Sequence, residues 1–79
     1  MDMTELSRVR WRCRRGLLEN DLILARFLDA RGSAMTADEL NALHALLDLA
    51  DNDLWDLIAG RAEPQEARLR PLLAALRAA

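Results

Sequence analysis

Leu17-Leu18-Glu19-Asn20-Asp21-Leu22-Ile23-Leu24-Ala25-Arg26-Phe27-Leu28-Asp29-Ala30-Arg31-Gly32 is the stretch on which the fold turns. Placed on a helix at about 100° per residue, its seven large apolar residues (Leu17, Leu18, Leu22, Ile23, Leu24, Phe27 and Leu28) spread around most of the circumference. Only a strip through Glu19, Arg26, Asp29 and Ala30 is free of them. A helix apolar on most sides must have neighbours on several faces, so this one is expected at the centre of the molecule. The spacing predicts a helix over 17–30, with Gly32 as the left-handed residue that ends it. Asp21 falls between Leu17, Leu24 and Leu28 on an apolar arc. A carboxylate there needs a partner, so it is expected mostly buried and bonded to Arg14, Arg15 or backbone amides.

Working outward, a helix is expected over 5–14, capped by Thr4, with Leu6, Val9 and Cys13 inward at i, i+3 and i+7. Thr36-Ala37-Asp38-Glu39 is a capping box for a third helix whose inward stripe is Leu40, Leu43, Leu47 and Ala50. A short fourth helix is predicted over 52–59, with Asp51 at its N-cap, Leu54, Leu57 and Ile58 inward, and Gly60 as its stop. A fifth begins near Pro64, a suitable first residue, and carries Leu69, Leu72, Leu73 and Leu76. Pro71 lacks an amide proton and should kink that helix or force a restart. The expected fold is all-α: a compact single domain, 1–79, made of about five short helices.

Composition points the same way. Val9 is the only Val, Phe27 the only Phe, Ile occurs only at Ile23 and Ile58, and Tyr is absent. Strands favour β-branched and aromatic residues, so a sheet is not expected. A chain of 79 residues has a thin core and little room for a deep substrate cavity. The net charge of −2 conceals an asymmetry: residues 1–15 carry +3, residues 16–66 carry −8, and residues 67–79 carry +3. Every basic residue is Arg. No apolar stretch approaches the ~20 residues a membrane span needs, and the start shows neither a signal segment nor a transit peptide. A bacterial cytoplasmic location is therefore expected.

Few groups could carry chemistry. His44, beside the Leu40–Leu43–Leu47 stripe, reads as a packing residue rather than a ligand or base. Cys13 reads as a small buried apolar residue rather than a nucleophile. Asp48, Asp51, Asp53 and Asp56 lack the glycine and terminal Glu of a Ca²⁺ loop, so they read as a capped helix start with a solvated face. There is no glycine-rich phosphate loop. An enzyme is not expected, nor a metal site. Binding is better represented. Arg8, Trp11 and Arg15, at i, i+3 and i+7, lie opposite the Leu6–Val9–Cys13 stripe. An outward Trp flanked by arginines has the composition of an interface hot spot, unless the fourth or fifth helix folds over it. Gly16 sits at a joint between helices with Arg15 and Glu19 beside it. It is either a helix C-cap flanked by a surface ion pair or a place where a partner's backbone comes close.

At these residues the chain resembles a known family. Arg10-Trp11-Arg12-Cys13-Arg14-Arg15-Gly16-Leu17-Leu18-Glu19-Asn20-Asp21-Leu22-Ile23-Leu24 closely resembles the signature of the FAD assembly factors, which include bacterial SdhE and the mitochondrial succinate dehydrogenase assembly factors. Their Arg-Gly-x-x-Glu motif is matched by Arg15, Gly16 and Glu19, and the following Asp by Asp21. A second family segment is similar to residues 46–60. Asn52 stands where many relatives have Pro, which should alter only the start of the fourth helix. The resemblance implies a five-helix bundle that binds the flavoprotein subunit of succinate dehydrogenase, and in bacteria that of fumarate reductase. It implies an assembly chaperone that promotes covalent attachment of FAD to a histidine of that subunit. The expected partner-binding residues are Arg8, Trp11, Arg15, Gly16 and Glu19, with Asp21 and Asp51 in support. No cofactor is expected to be bound firmly, since the FAD belongs to the client, and the free chain is expected to be a monomer outside the membrane. The alternative is an Arg-rich nucleic-acid-binding or antitoxin-type module, bacterial members being also described as antitoxins. Against it, the chain is acidic overall and its arginines are mixed with acids.

Overall fold

The computed structural model describes residues 3–14 and 16–79. Five α-helices form it: α1 (Met3–Arg12), α2 (Leu18–Arg31), α3 (Ala37–Leu47), α4 (Asp51–Ile58) and α5 (Arg70–Ala78). Short 3-10 turns at Gly32–Ala34 and Ala67–Leu69 precede α3 and α5, and no strand occurs among the described residues. The Cα radius of gyration is 11.4 Å. A globular domain of this length is expected near ~12 Å, so the helices close on one another as one body.

Helix α2 is central, packing against α4, α5 and the Gly32 turn. Its buried stripe is Asn20, Leu24, Phe27 and Leu28. The apolar-on-most-sides reading is corrected on one flank, because Leu18 is 66% exposed and Leu22 47% exposed. The second correction is at Gly32. Its φ of −54° is right-handed, so it is no left-handed cap. A Cβ there would meet Leu6 Cδ1 at 2.8 Å, so Gly32 is small because α1 crosses over it.

The capping box of α3 is present: Thr36 Oγ1 accepts from the Glu39 amide at 3.1 Å, and the Thr36 amide donates to Glu39 Oε1 at 3.2 Å. The buried side chains of α3 are Ala42, Leu43, Leu46 and Leu47, with Leu40 half-buried. Ala50 is exposed, because α3 ends at Leu47 and Ala50 is instead the N-cap of α4. This overturns Asp51 as the cap: it is the first residue of α4, and no side chain caps that end. Gly60 stops α4 at a φ of +82°, with its amide donating to the Leu57 carbonyl at 3.2 Å.

The last helix starts later than expected. Pro64 is buried in the connection and does not begin a helix. Pro71 does, within the first turn of α5, where a missing amide proton costs nothing. The anticipated restart is therefore real, and the stripe Leu69, Leu72, Leu73, Leu76 is buried throughout. Arg77 then reaches across to the end of α4, its Nε donating to the Leu57 carbonyl at 3.1 Å. The core contains Val9, Cys13, Leu24, Leu28, Leu43, Leu47, Leu54, Leu57 and Ile58 as expected. It adds Phe27, Met35, Ala42 and Leu46, while Leu6 and Leu40 are half-buried at its margin and Leu17 is half-buried outside it.

Candidate functional site: the surface around Gly16

Helix α1 has one inward edge and two polar flanks. Val9 and Cys13 are buried, and Leu6 packs at the core's margin. On one flank Arg10 Nη2 meets Asp29 Oδ1 of α2 at 2.7 Å. On the other, Arg12 binds Asp48, and its Nη1 lies 2.7 Å from His44 Nδ1. A guanidinium can only donate, so that imidazole nitrogen is the acceptor of the contact. His44 is therefore half-buried, with a structural partner from α1. The basic N-terminal segment thus lies on the acidic middle of the chain. Each of these exposed pairs contributes little alone, roughly 0–1 kcal/mol.

Trp11 is 74% exposed, so neither α4 nor α5 covers it. Of the two readings left open by the sequence, the outward one holds. Arg8, three residues earlier, is also exposed. The helix closes with the Cys13 amide on the Val9 carbonyl at 3.0 Å and the Arg14 amide on the Trp11 carbonyl at 3.2 Å. Arg15 lies outside the described residues.

Gly16 is exposed with a φ of +99°. It does not cap α1, which has ended at Arg12, but stands immediately before Leu17, the N-cap of α2. Leucine has no side-chain acceptor, and no side chain caps α2. Gly16 compensates in part: its amide donates to Asp21 Oδ2 at 3.3 Å, tying the connection back to the first turn of α2. Asp21 is thus bonded to a backbone amide as expected, but it is half-buried rather than mostly buried. A Cβ built on Gly16 meets nothing within 4 Å. No neighbour inside the molecule therefore requires the absent side chain; the backbone conformation does. Glu19 is exposed on the next turn.

Two features here were missed in the sequence. The first is Asn20, which is 0% exposed. Its Nδ2 donates to the Asp51 carbonyl at 3.1 Å, and its Oδ1 has no partner. Asn20 thereby joins the start of α2 to the start of α4, and it explains the place of Asp51: the backbone of this half-buried residue is held, whereas its side chain had been read as a cap. The spacing of Asn20 to Leu24, Phe27 and Leu28, at i, i+4, i+7 and i+8, carried the signal. The second is the exposed pair Leu18 and Leu22. Leu22 borders a groove of about 390 Å³ between α1 and α2, rimmed by Arg10, Arg14 and Asp21. Arg14, Asp21 and Leu22 place that groove beside Gly16. Trp11, Leu18 and Leu22, all exposed, flank Gly16 along the chain with arginines among them, the residue types of a protein-binding face.

Among the described residues there is no group of three or more His, Cys, Asp or Glu placed to hold a metal ion, and no helix is long and apolar enough to cross a membrane.

Comparison with known proteins agrees with this geometry. The family model described as flavinator of succinate dehydrogenase matches residues 7–79. The FAD assembly factor SdhE of Ralstonia nicotianae is 46% identical, over 91% of this chain and 80% of that protein. That of Methylococcus capsulatus is 40% identical over 96% of this chain and 92% of its own length. That of Coxiella burnetii is 33% identical over 85% and 82%. No solved structure matches the chain. With nearly the whole bundle covered, the Gly16 segment included, the chain belongs to the flavinator of succinate dehydrogenase family, that of the FAD assembly factors.

Proposed function

We propose that this chain docks through the Gly16 surface onto the flavoprotein subunit of succinate dehydrogenase and promotes covalent attachment of FAD to a histidine of that subunit. The observation that carries the reading is Gly16 itself. It is an exposed left-handed residue whose would-be Cβ meets nothing within 4 Å beyond its own chain neighbours, and Trp11, Leu18 and Glu19, close to it in sequence, are exposed as well. A bare, exposed backbone lets a partner's backbone come close.

The contribution is positioning. The bundle holds the immature flavoprotein so that FAD and the target histidine are aligned, which lowers the barrier without a reacting group on the chaperone. Acid–base chemistry belongs to the client, and the chain is not an enzyme. It holds no flavin firmly: the groove beside Gly16, at about 390 Å³, is near the small end of ligand pockets, and the chain has no glycine-rich phosphate loop. The flavoprotein subunit of fumarate reductase is a second client. The free chain is monomeric and acts in the cytoplasm. The nucleic-acid or antitoxin reading gains nothing from the structure, because Arg10 and Arg12 face Asp29 and Asp48. Pull-down of the tagged chain from a native bacterial lysate tests the proposal. A succinate dehydrogenase or fumarate reductase flavoprotein, recognised by in-gel flavin fluorescence, is expected to co-purify. Recovery of nucleic acid with a steep salt dependence, and no flavoprotein, would overturn it.

A further inference from the structure

A second cleft shares no residue with the Gly16 surface. Helix α4 presents Asp53, Asp56 and Leu57 on one face at i, i+3 and i+4. Gly60 turns the chain, and residues 61–69 return along that face with Glu63 and Glu66 on the other rim. Beneath them Leu49, Leu57 and Leu69 line an apolar floor, and the cavity measures about 390 Å³. Arg61 bridges Asp56 and Arg68 bridges Glu66. No arginine among the described residues bridges Asp53 or Glu63, both exposed, in a segment whose net charge is −8 over residues 16–66.

The combination selects its occupant. An apolar floor rewards a large uncharged side chain. Two unbridged carboxylates at the rim reward cations on either side of it and repel an acidic segment. We infer that this cleft docks a basic segment of a partner protein, with one large apolar side chain on the Leu49–Leu57–Leu69 floor and flanking Arg or Lys on Asp53 and Glu63. It is a second interaction surface, independent of the docking proposed at Gly16, and it would let the chain hold two protein segments at once. The chain's own Arg8–Trp11 face has similar chemistry. Seating it in the cleft of another copy would make the chain self-associate, which the test below distinguishes.

The test is a titration of the ¹⁵N-labelled full chain with the peptide acetyl-Gly-Arg-Trp-Leu-Arg-Gly-amide, against the same peptide with Glu for Arg. Saturable shifts are expected at the amides of Leu49, Leu57, Ala62 and Leu69 with the basic peptide and not with the acidic one. The double variant Asp53→Asn, Glu63→Gln, both on exposed side chains, should keep the helical circular dichroism and bind about five- to tenfold more weakly, in keeping with two exposed ion pairs. No saturation at the cleft by about 5 mM peptide, a millimolar contact being the weakest worth the name, would overturn the inference. Equal binding of the acidic peptide, or shifts confined to α1 and α2, would do the same. So would sedimentation showing self-association abolished by both Trp11→Ala and the cleft double variant, which would give the cleft to a second copy.

Discussion

Asn20 is the one buried polar side chain among the described residues, and it is only half satisfied: Nδ2 holds the Asp51 carbonyl while Oδ1 has no partner. Removing the amide loses that bond and opens a small cavity. Asn20→Ala should therefore destabilise the fold by about 1–3 kcal/mol. Asn20→Leu fills the space and removes the orphan oxygen, so its urea midpoint should lie above that of the Ala variant. The reverse order would mean that the hydrogen bond outweighs packing at this position. At the same scale, the wheel drawn from sequence placed Asp21 among Leu17, Leu24 and Leu28. The buried stripe is centred nearer Asn20, so Asp21 falls at its edge, half-buried and bonded to Gly16. A one-residue error in phase turns a helix by about 100°, enough to exchange a buried asparagine for a half-buried aspartate. Gly16 was legible as a glycine with a reason. Whether the reason was a cap or a surface depended on where α1 ends, and arginine-rich sequence does not mark that.

Helix α1 is the least anchored element. It buries Val9, with Cys13 just beyond its end and Leu6 at the margin, and its polar ties to Asp29, His44 and Asp48 are exposed. Helix α2 buries four residues against two helices and a turn. Local opening follows buried contact, so the amides of α1 should exchange with deuterium faster than those of Leu24, Phe27 and Leu28. Equal protection would mean that α1 unfolds only with the whole bundle. Elements announced by local chemistry were the readable ones. The Thr36–Glu39 box and the Gly60 stop need only neighbouring residues, and both are found. The Gly32 turn and the late start of α5 depend on tertiary contacts. Gly32 is small because Leu6 lies on it, and Pro64 is buried in the connection ahead of Pro71. No local pattern reports such contacts.

At the scale of the whole molecule, a chain of 79 residues is held by one thin core, with total stability on the order of 4–12 kcal/mol. Leu47 is buried in that core on α3. Leu47→Ala should cost about 2–5 kcal/mol, a large share of the total, and lower the melting temperature by about 8 °C or more, taking roughly 4–8 °C per kcal/mol. A melting temperature unchanged by it would contradict the assigned face of α3. The fold was largely legible because five apolar stripes in one short chain leave few ways to pack. The outward surface was only partly so, since exposure of Leu18 and Leu22 is decided by which flank of α2 its neighbours leave open. The proposed docking role is centred on Gly16. A Cβ at position 16 meets no neighbour within 4 Å, so the chief cost of a leucine there is the left-handed backbone, on the order of 1–2 kcal/mol. The most direct measurement is flavin fluorescence of the denatured succinate dehydrogenase flavoprotein after co-expression with wild-type chain or with Gly16→Leu, circular dichroism confirming that the variant is folded. The account predicts a folded variant and a sharp loss of covalent flavin. Undiminished flavinylation by a folded Gly16→Leu chain would contradict it and leave Gly16 as an ordinary turn glycine.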